Sequence, residues 1–205
     1  MRLPFLASFI IFIVWLTYEL AKSRKKAEKL EKSFWDRERE ANNTRKKPLD
    51  GLNFISLPLN ELPFGIAADN ERIQEYEELL RTLSTQKIVN LTGYSNTDLK
   101  LMYGAPNITA LTEYDQNYTL LARTLQQWAS TLVELGFIAE AKTILEFAVS
   151  TDTDVSGSYR LLSSIYHDNG EDEKIASLLQ RAQTLRSLSK NSIVRILQEF
   201  CPSSD

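Results

Sequence analysis

Two copies of one pattern, 34 residues apart, constrain this chain more than any other feature. The copies are LVELGFIAEAKTILEFA, residues 132–148, and YHDNGEDEKIASLLQRA, residues 166–182. Glycine, leucine and alanine recur at equivalent positions: Gly136 and Gly170, Leu145 and Leu179, Ala148 and Ala182. A fixed period of this length is typical of helix–turn–helix repeats, in which each unit buries its apolar face only against its neighbours. The pattern therefore predicts stacked helical pairs.

The composition is that of a folded helical protein. Of 205 residues, 43% are hydrophobic and 25% charged, and only seven glycines and six prolines occur, which argues against an all-β fold. We predict an all-α chain, in which a helical-repeat (α-solenoid) domain follows a single N-terminal transmembrane helix. The predicted boundaries are a membrane anchor at 1–21, a basic juxtamembrane helix at 22–47, an extended apolar strap at 48–68 and the helical domain at 69–205.

The N-terminal stretch contains no charge between Arg2 and Glu19. Ten of its sixteen residues are Leu, Ile, Val or Phe, which together favour membrane insertion by about 3–6 kcal/mol. We predict that residues 3–21 form one transmembrane helix, retained as a signal anchor and in contact with the lipid bilayer. A cleaved signal peptide is the rival interpretation, but no small-x-small cleavage site precedes the charged run.

The charge that follows this stretch predicts its orientation. Residues 22–47 carry eleven Lys or Arg against five Asp or Glu, and such a basic flank stays on the cytoplasmic side and is attracted to anionic lipid. We expect the N-terminus outside and the body in the cytoplasm. Four potential N-glycosylation sites favour the opposite orientation; they are Asn42, Asn90, Asn107 and Asn117.

The basic segment itself predicts a continuous helix. Residues 19–41 contain neither Gly nor Pro, and Pro48 predicts that the helix stops before it. Two interpretations stay open: a helical spacer, or a short parallel dimer stem. The dimer stem would use apolar residues at heptad spacing, with two more on the neighbouring line: Leu20, Ala27, Phe34 and Ala41, then Leu16 and Leu30.

The segment PLDGLNFISLPLNELPFG follows the basic helix. Its apolar residues alternate, and Pro58 and Pro63 exclude a helix interior, so we predict an extended strap along the outside of the helical domain. The alternative is that the strap occupies the domain's own binding groove as an internal ligand.

Helical periodicity begins after the strap. We expect a helix over 69–84 with Asp69 or Asn70 as N-cap, and one over 116–134 capped by Asp115. The remaining predicted helices are Gln86–Leu91, Asn96–Tyr103 with Asn96 as cap, Ala139–Ser150, Ser158–Asp168, Glu173–Leu188 and Asn191–Phe200.

The two units, at about 118–187, resemble tetratricopeptide repeats. The matching first-helix positions are Leu125, Trp128, Ala129 and Leu132 in one unit, and Tyr159, Leu162, Ser163 and Tyr166 in the other. The turn glycines and the last alanines of both copies match as well. The chain departs from the family pattern at Thr153 and Ser187, where the family has a closing proline, and at Ile175, where alanine is usual.

The resemblance implies a concave face, made by first helices, that binds a peptide of a partner protein. Transferred residue by residue, this predicted face consists of Arg123, Gln126, Ser130, Val133, Arg160, Ser164 and His167. Its two arginines suit an acidic peptide or a C-terminal carboxylate. The alternative is an ordinary solvated face.

Nothing in the sequence predicts catalysis. His167 is the only histidine and Cys201 the only thiol, so we expect no metal, no cofactor and no enzymatic activity. The acidic body also argues against a nucleic-acid partner. The predicted function is a membrane-anchored protein-interaction or scaffold module; the alternative is a structural accessory subunit, permanently packed in a larger membrane complex.

Overall fold

The structure, a computed structural model, describes residues 3–200, with side chains from Ser8 onward. Within that range the chain forms eight α-helices, and an isolated bridge between Phe54 and Val89 is the β-pairing described. The all-α prediction is confirmed. The helices are α1 Leu3–Asn43, α2 Glu71–Ser84, α3 Asn96–Tyr103, α4 Ile108–Glu134, α5 Ile138–Ser150, α6 Ser156–Asp168, α7 Asp172–Thr184 and α8 Lys190–Phe200.

The chain divides into two compact units. The stem unit contains α1, the chain up to Lys47 and the segment Ser95–Ile108. The core unit contains Pro48–Tyr94 and the chain from Thr109 onward.

In the stem unit, α1 is one unbroken helix of 41 residues. It includes residues 19–41, for which the lack of Gly and Pro predicts a continuous helix. Its side chains from Ser8 to Arg37 are exposed. None of the helices in the described part of the chain combines the length and apolar character needed to cross a membrane. The predicted anchor at residues 3–21 includes residues 3–7, which lie outside the residues whose side chains are described.

The last turns of α1 pack on α3 through polar contacts. Arg37 pairs with Asp98 at 2.6 Å, and Glu38 accepts from Lys100 at 2.5 Å and from Thr97 at 2.6 Å. Hydrogen bonds from Lys100 and Thr97 lower the pKa of the Glu38 carboxyl. Charged groups therefore hold most of this contact, beside the small buried residue Ala41.

The ends of α3 follow from two local devices. Ser95, and not the predicted Asn96, is the N-cap, because its hydroxyl accepts from the Asp98 backbone N–H while the Asp98 carboxylate accepts from Ser95. The helix ends at Tyr103, as predicted, and Gly104 follows as its C-cap with a φ of 93°. A Cβ on Gly104 would collide with the Arg45 carbonyl oxygen, so this close approach requires glycine.

The helices of the core unit recur at the period read from the sequence. Helices α5 and α7 begin at Ile138 and Asp172, and α6 and α8 begin at Ser156 and Lys190, so both pairs are offset by 34 residues. The turns before α5 and α7 contain Gly136 and Gly170, both with positive φ. Helix α8 packs on α6 and α7.

One hydrophobic core joins these helices to α2 and the strap. Trp128, Leu125 and Tyr159 are fully buried at its centre. Leu57 and Leu62 of the strap belong to the same cluster, and Phe64 lies 5.1 Å from Trp128, measured between ring centroids. Turns interrupt the strap at 50–51, 59–61 and 64–69, whereas residues 53–58 contain no turn and include the bridge residue Phe54. The turns bring these apolar side chains onto one core.

One predicted helix and two predicted helix boundaries in the core unit are wrong. Residues Gln86–Leu91 are not helical, because Val89 pairs with the strap and the Asn90 side chain bonds to backbone groups instead. Helix α4 begins at Ile108, so Asp115 lies inside it and accepts from the Leu91 N–H at 3.1 Å. Helix α7 ends at Thr184, because Leu185 turns to an extended conformation and is buried.

Candidate functional site

Of the four α4 residues of the predicted face, Arg123 is exposed and the other three are partly buried. Arg123 is exposed and has no ion-pair partner among the residues that the structure describes. Gln126 donates to the Ser130 hydroxyl at 3.1 Å, and both are partly buried. Val133 is partly buried against the core, so its side chain contributes to packing.

Helices α7 and α8 engage the α6 part of the predicted face. Arg160 pairs with Glu199 of α8 at 3.6 Å. His167 contacts Asp172 at 3.0 Å through Nδ1, and its ring lies 6.2 Å from that of Phe200. Ser164 donates to Asp168 of its own helix. Of the two predicted anion-binding arginines, Arg123 is therefore the one without an internal carboxylate partner.

A cavity of about 500 Å³ opens elsewhere in the core unit, and none of the seven predicted residues lines it. It lies between the segment before α3, the strap and the ends of α5 and α7. Its lining includes Asn90, Tyr94, Phe147, Asp152, Leu185 and Arg186.

Two polar side chains of this cavity, Asn90 and Arg186, have internal partners. Asn90 donates to the carbonyls of Thr151 and Asp152, each at 3.0 Å. Arg186 bonds to the Tyr94 hydroxyl, and its guanidinium lies 5.0 Å from that ring centroid. These bonds join the segment before α3 to the turn after α5 and to the chain after α7. We call this contact the junction.

The turn between α5 and α6 is the centre of that junction. The buried phenols of Tyr118 and Tyr159 donate to the carbonyls of Thr151 and Thr153, and burial raises the pKa of both phenols. Asp152 adopts a φ of 58° and pairs with Arg181 at 2.9 Å. The sequence offered a signal for this turn in the run TDTD, which contains the turn-forming residue types.

Hydroxyl side chains make the same local hydrogen bond at two equivalent positions of the 34-residue period. Thr153 accepts from the N–H of Val155 at 3.3 Å, and Ser187 accepts from the N–H of Ser189 at 3.1 Å. These bonds are 34 residues apart and each precedes a helix, α6 or α8. A hydroxyl that bonds two residues onward fixes a turn, so side-chain hydrogen bonds direct the chain here.

A second cavity of about 280 Å³ lies among α5, α6 and α7. Tyr166 donates to Glu146 at 2.8 Å beside it, and Lys174 pairs with Glu171 at 2.6 Å. Glu171 also accepts from Lys142 at 2.5 Å, and hydrogen bonds from both lysines lower the pKa of its carboxyl. The charges around this cavity therefore neutralise one another.

Within the described residues, no group of three or more His, Cys, Asp or Glu side chains is placed to hold a metal ion. The accessible groups include the exposed α4 side chains around Arg123 and the exposed length of α1. No protein-family model matches the chain, and no curated protein or solved structure is significantly similar to it.

Proposed function

We propose that this chain is a non-catalytic interaction protein that holds a helical-repeat body at a membrane surface. The observation that carries the proposal is the exposed apolar surface of α1. Phe9, Ile11, Val14 and Trp15 each expose more than half of their area. Contiguous apolar surface of this kind marks a membrane or protein contact, and the charge-free sequence from Leu3 favours lipid.

The charges beyond this surface support the same arrangement. Exposed Lys22, Lys25, Lys29 and Lys32 follow it on α1, where they suit anionic head groups. The proposed orientation places the body in the cytoplasm. Two of the potential glycosylation sites fit that orientation: Asn107 is buried and its amide donates to two carbonyls, and the Asn90 amide does the same.

The membrane part of the proposal is tested with the full chain in cells. Replacing Ile11 and Val14 by Lys places two charges in the proposed lipid contact, at a cost of about 2.5–3.5 kcal/mol each near a bilayer centre. We expect the protein to leave the membrane fraction on alkaline extraction. Leu188→Lys is the matched control, because Leu188 is fully exposed in the core unit. Equal extraction of both variants would contradict the anchor.

The repeat supports the interaction part of the proposal. Its 34-residue helical offset and the residues shared with tetratricopeptide repeats favour peptide binding on the first-helix side. Because Arg160 is paired with Glu199 and Arg123 has no such partner, we place recognition of an acidic peptide or C-terminal carboxylate around Arg123 on α4.

Site-specific photo-crosslinking tests this placement. A photoreactive residue at exposed Gln127, next to Arg123 on α4, should form one dominant adduct in native membranes, and mass spectrometry identifies the partner. Arg123→Glu should abolish the adduct, whereas Arg195→Glu, the same charge change on exposed α8, should leave it unchanged. An adduct that survives Arg123→Glu excludes this face.

The accessory-subunit alternative has one observation in its favour. Three apolar residues each expose about 40% of their area: Leu120 on α4, Leu135 in the turn after it and Ile138 at the start of α5. Such surface is expected where a protein packs permanently on a neighbour. In that case the protein would migrate only in a large complex on native gels after mild detergent extraction, and Leu135→Lys would release it.

A further inference from the structure

We propose that α1 pairs in parallel with α1 of a second copy of this chain, through a seam that runs from Leu16 to Phe34. The seam uses the exposed stem of the helix, apart from the polar contact with α3. This inference goes beyond the proposed function and does not depend on membrane anchoring, because it concerns helix pairing that can be measured in detergent.

The apolar residues of the seam follow a heptad in which Ser23 occupies the d position between Leu16 and Leu30. Leu20, Ala27 and Phe34 occupy the a positions, and Leu16 and Leu30 occupy d positions. The four large side chains are exposed by 39% to 60%, so nothing in the described chain covers them. The predicted fourth a residue, Ala41, is fully buried in the part of α1 that packs on α3. The seam therefore ends before it.

The charges that flank the seam complement a second copy in parallel orientation. In a parallel pair, a g residue faces the e residue five positions later on the other helix. Glu19 then faces Arg24 of the second copy, and Lys26 faces its Glu31. Both contacts are attractive, and each occurs twice by symmetry.

The remaining charges agree with this register. Lys22, Lys25, Lys29 and Lys32 fall at c and f positions, which point away from the partner helix, so pairing brings none of them together. In an antiparallel pair, the a residues of one helix pack against the d residues of the other, and g residues face g residues. The alignment that packs Leu20 against Leu30 would therefore place Lys26 beside Lys26 of the second copy. Charge complementarity thus selects a parallel pair over an antiparallel one and commits the surface to a second copy.

Disulfide trapping tests the seam in the full-length chain carrying Cys201→Ser. The protein is purified in detergent, with micelles in excess over chains so that unrelated chains do not share a micelle. Ala27→Cys places the thiols at the seam, and Lys25→Cys places them on the outward side. Since a disulfide needs a Cα–Cα separation below about 7 Å, we expect covalent dimers to form at least about tenfold faster from Ala27→Cys.

Charge reversal at the flanking pair tests the orientation in the same Ala27→Cys background. Lys26→Glu alone and Glu31→Lys alone each place like charges across the seam, so each should slow trapping severalfold. The two reversals together restore opposite charges and should restore trapping. Lys25→Glu makes the same net charge change as Lys26→Glu at an outward position and should have no effect.

The outcomes separate cleanly. Equal trapping at positions 25 and 27, or no trapping at either, would overturn the pairing. Trapping that is insensitive to the single reversals, or that the double reversal does not restore, would overturn the parallel register. Loss of membrane binding in the extraction experiment above would leave these results unaffected, because trapping is measured in detergent.

Discussion

The two units of the molecule hold their helices together by opposite means. In the core unit, helices meet over large apolar side chains such as Trp128, Leu125 and Tyr159, all fully buried. In the stem unit, α1 meets α3 through charged contacts such as Arg37–Asp98 and Glu38–Lys100, with Ala41 and Leu99 as its buried apolar residues among those described. Burial of apolar area stabilises strongly, whereas partly exposed ion pairs contribute little.

This difference indicates which helices are self-sufficient. Helices α5 to α8 each place an apolar stripe against neighbours in the same chain. Most of α1 has no such neighbour, and a helix in water gains most of its stability from packing. The helices of the core unit therefore pack on one another, while the α1 side chains from Ser8 to Arg37 lie exposed. Under the proposals above, lipid or a second helix would supply the missing contact to α1.

Matched tryptophan substitutions test the contrast most severely. Trp128→Ala empties the centre of the core unit and should cost about 3–5 kcal/mol in the free energy of unfolding. Trp35→Ala removes the same side chain from the exposed stem and should change that free energy by less than about 0.5 kcal/mol. Urea unfolding followed by circular dichroism measures both. Similar costs for the two would mean that the stem is packed in solution.

The strap provides the next largest effect. Leu62 belongs to the core cluster although it lies in irregular chain, so Leu62→Ala should destabilise the core unit by about 2–4 kcal/mol. Leu188→Ala is the control, since Leu188 is fully exposed. If the strap only covers a groove, Leu62→Ala would instead leave stability nearly unchanged and increase adduct formation at the α4 face.

Two glycines with similar positive φ angles distinguish the stem unit from the core unit further. Gly104 and Gly136 have φ of 93° and 88°, but only Gly104 has backbone atoms where a Cβ would lie. Gly136→Ala should cost about 1 kcal/mol from backbone strain alone. Gly104→Ala should cost more and should selectively abolish hydrogen-exchange protection of α3. Equal losses in the free energy of unfolding would show that the backbone near Arg45 moves readily to accept a Cβ.

Acid should loosen the stem contact before the core, with the smallest effect of the four. Hydrogen bonds from Ser95 lower the pKa of Asp98, and those from Lys100 and Thr97 lower that of Glu38. A lowered folded-state pKa gives stability that is present above the unfolded pKa, about 4, and is lost as pH falls through the folded value. Exchange protection of α3 should therefore be constant above about pH 5 and decline below about pH 4. Asp98→Asn should weaken the exchange protection of α3 at neutral pH and make it less dependent on pH. Asp50→Asn, at an exposed position, is the control and should leave both unchanged.

Much of the core unit could be predicted because its helices repeat. The period of 34 and the apolar spacing placed α5, α6 and α8 within two residues of their observed starts. The errors fall where long-range contacts decide. Val89 pairs with Phe54, and the Leu91 N–H bonds to Asp115, and neither partner is visible from local propensity.

The predicted face shows the same limit. Helical spacing placed its seven residues on α4 and α6, but spacing cannot show that Glu199 pairs with Arg160 or that Val133 packs on the core. Those contacts depend on where α8 and the core lie in three dimensions. The charge pattern of α1 could be predicted more directly, because the positions of charges along one helix follow from the order of its residues.

The three tryptophans of the chain divide between these two regions, and this gives the protein its own optical reporters. Trp128 is fully buried beside Phe64, whereas Trp15 and Trp35 expose more than half of their area on α1. The buried indole should emit at short wavelength and resist aqueous quenchers, and the two exposed indoles should emit at longer wavelength and be quenched. Addition of lipid vesicles should shift Trp15 emission to the blue. Helix pairing should protect Trp35 only slightly, since it lies beside the seam. Changes at the stem can thus be followed by fluorescence while the emission of Trp128 reports that the core stays intact.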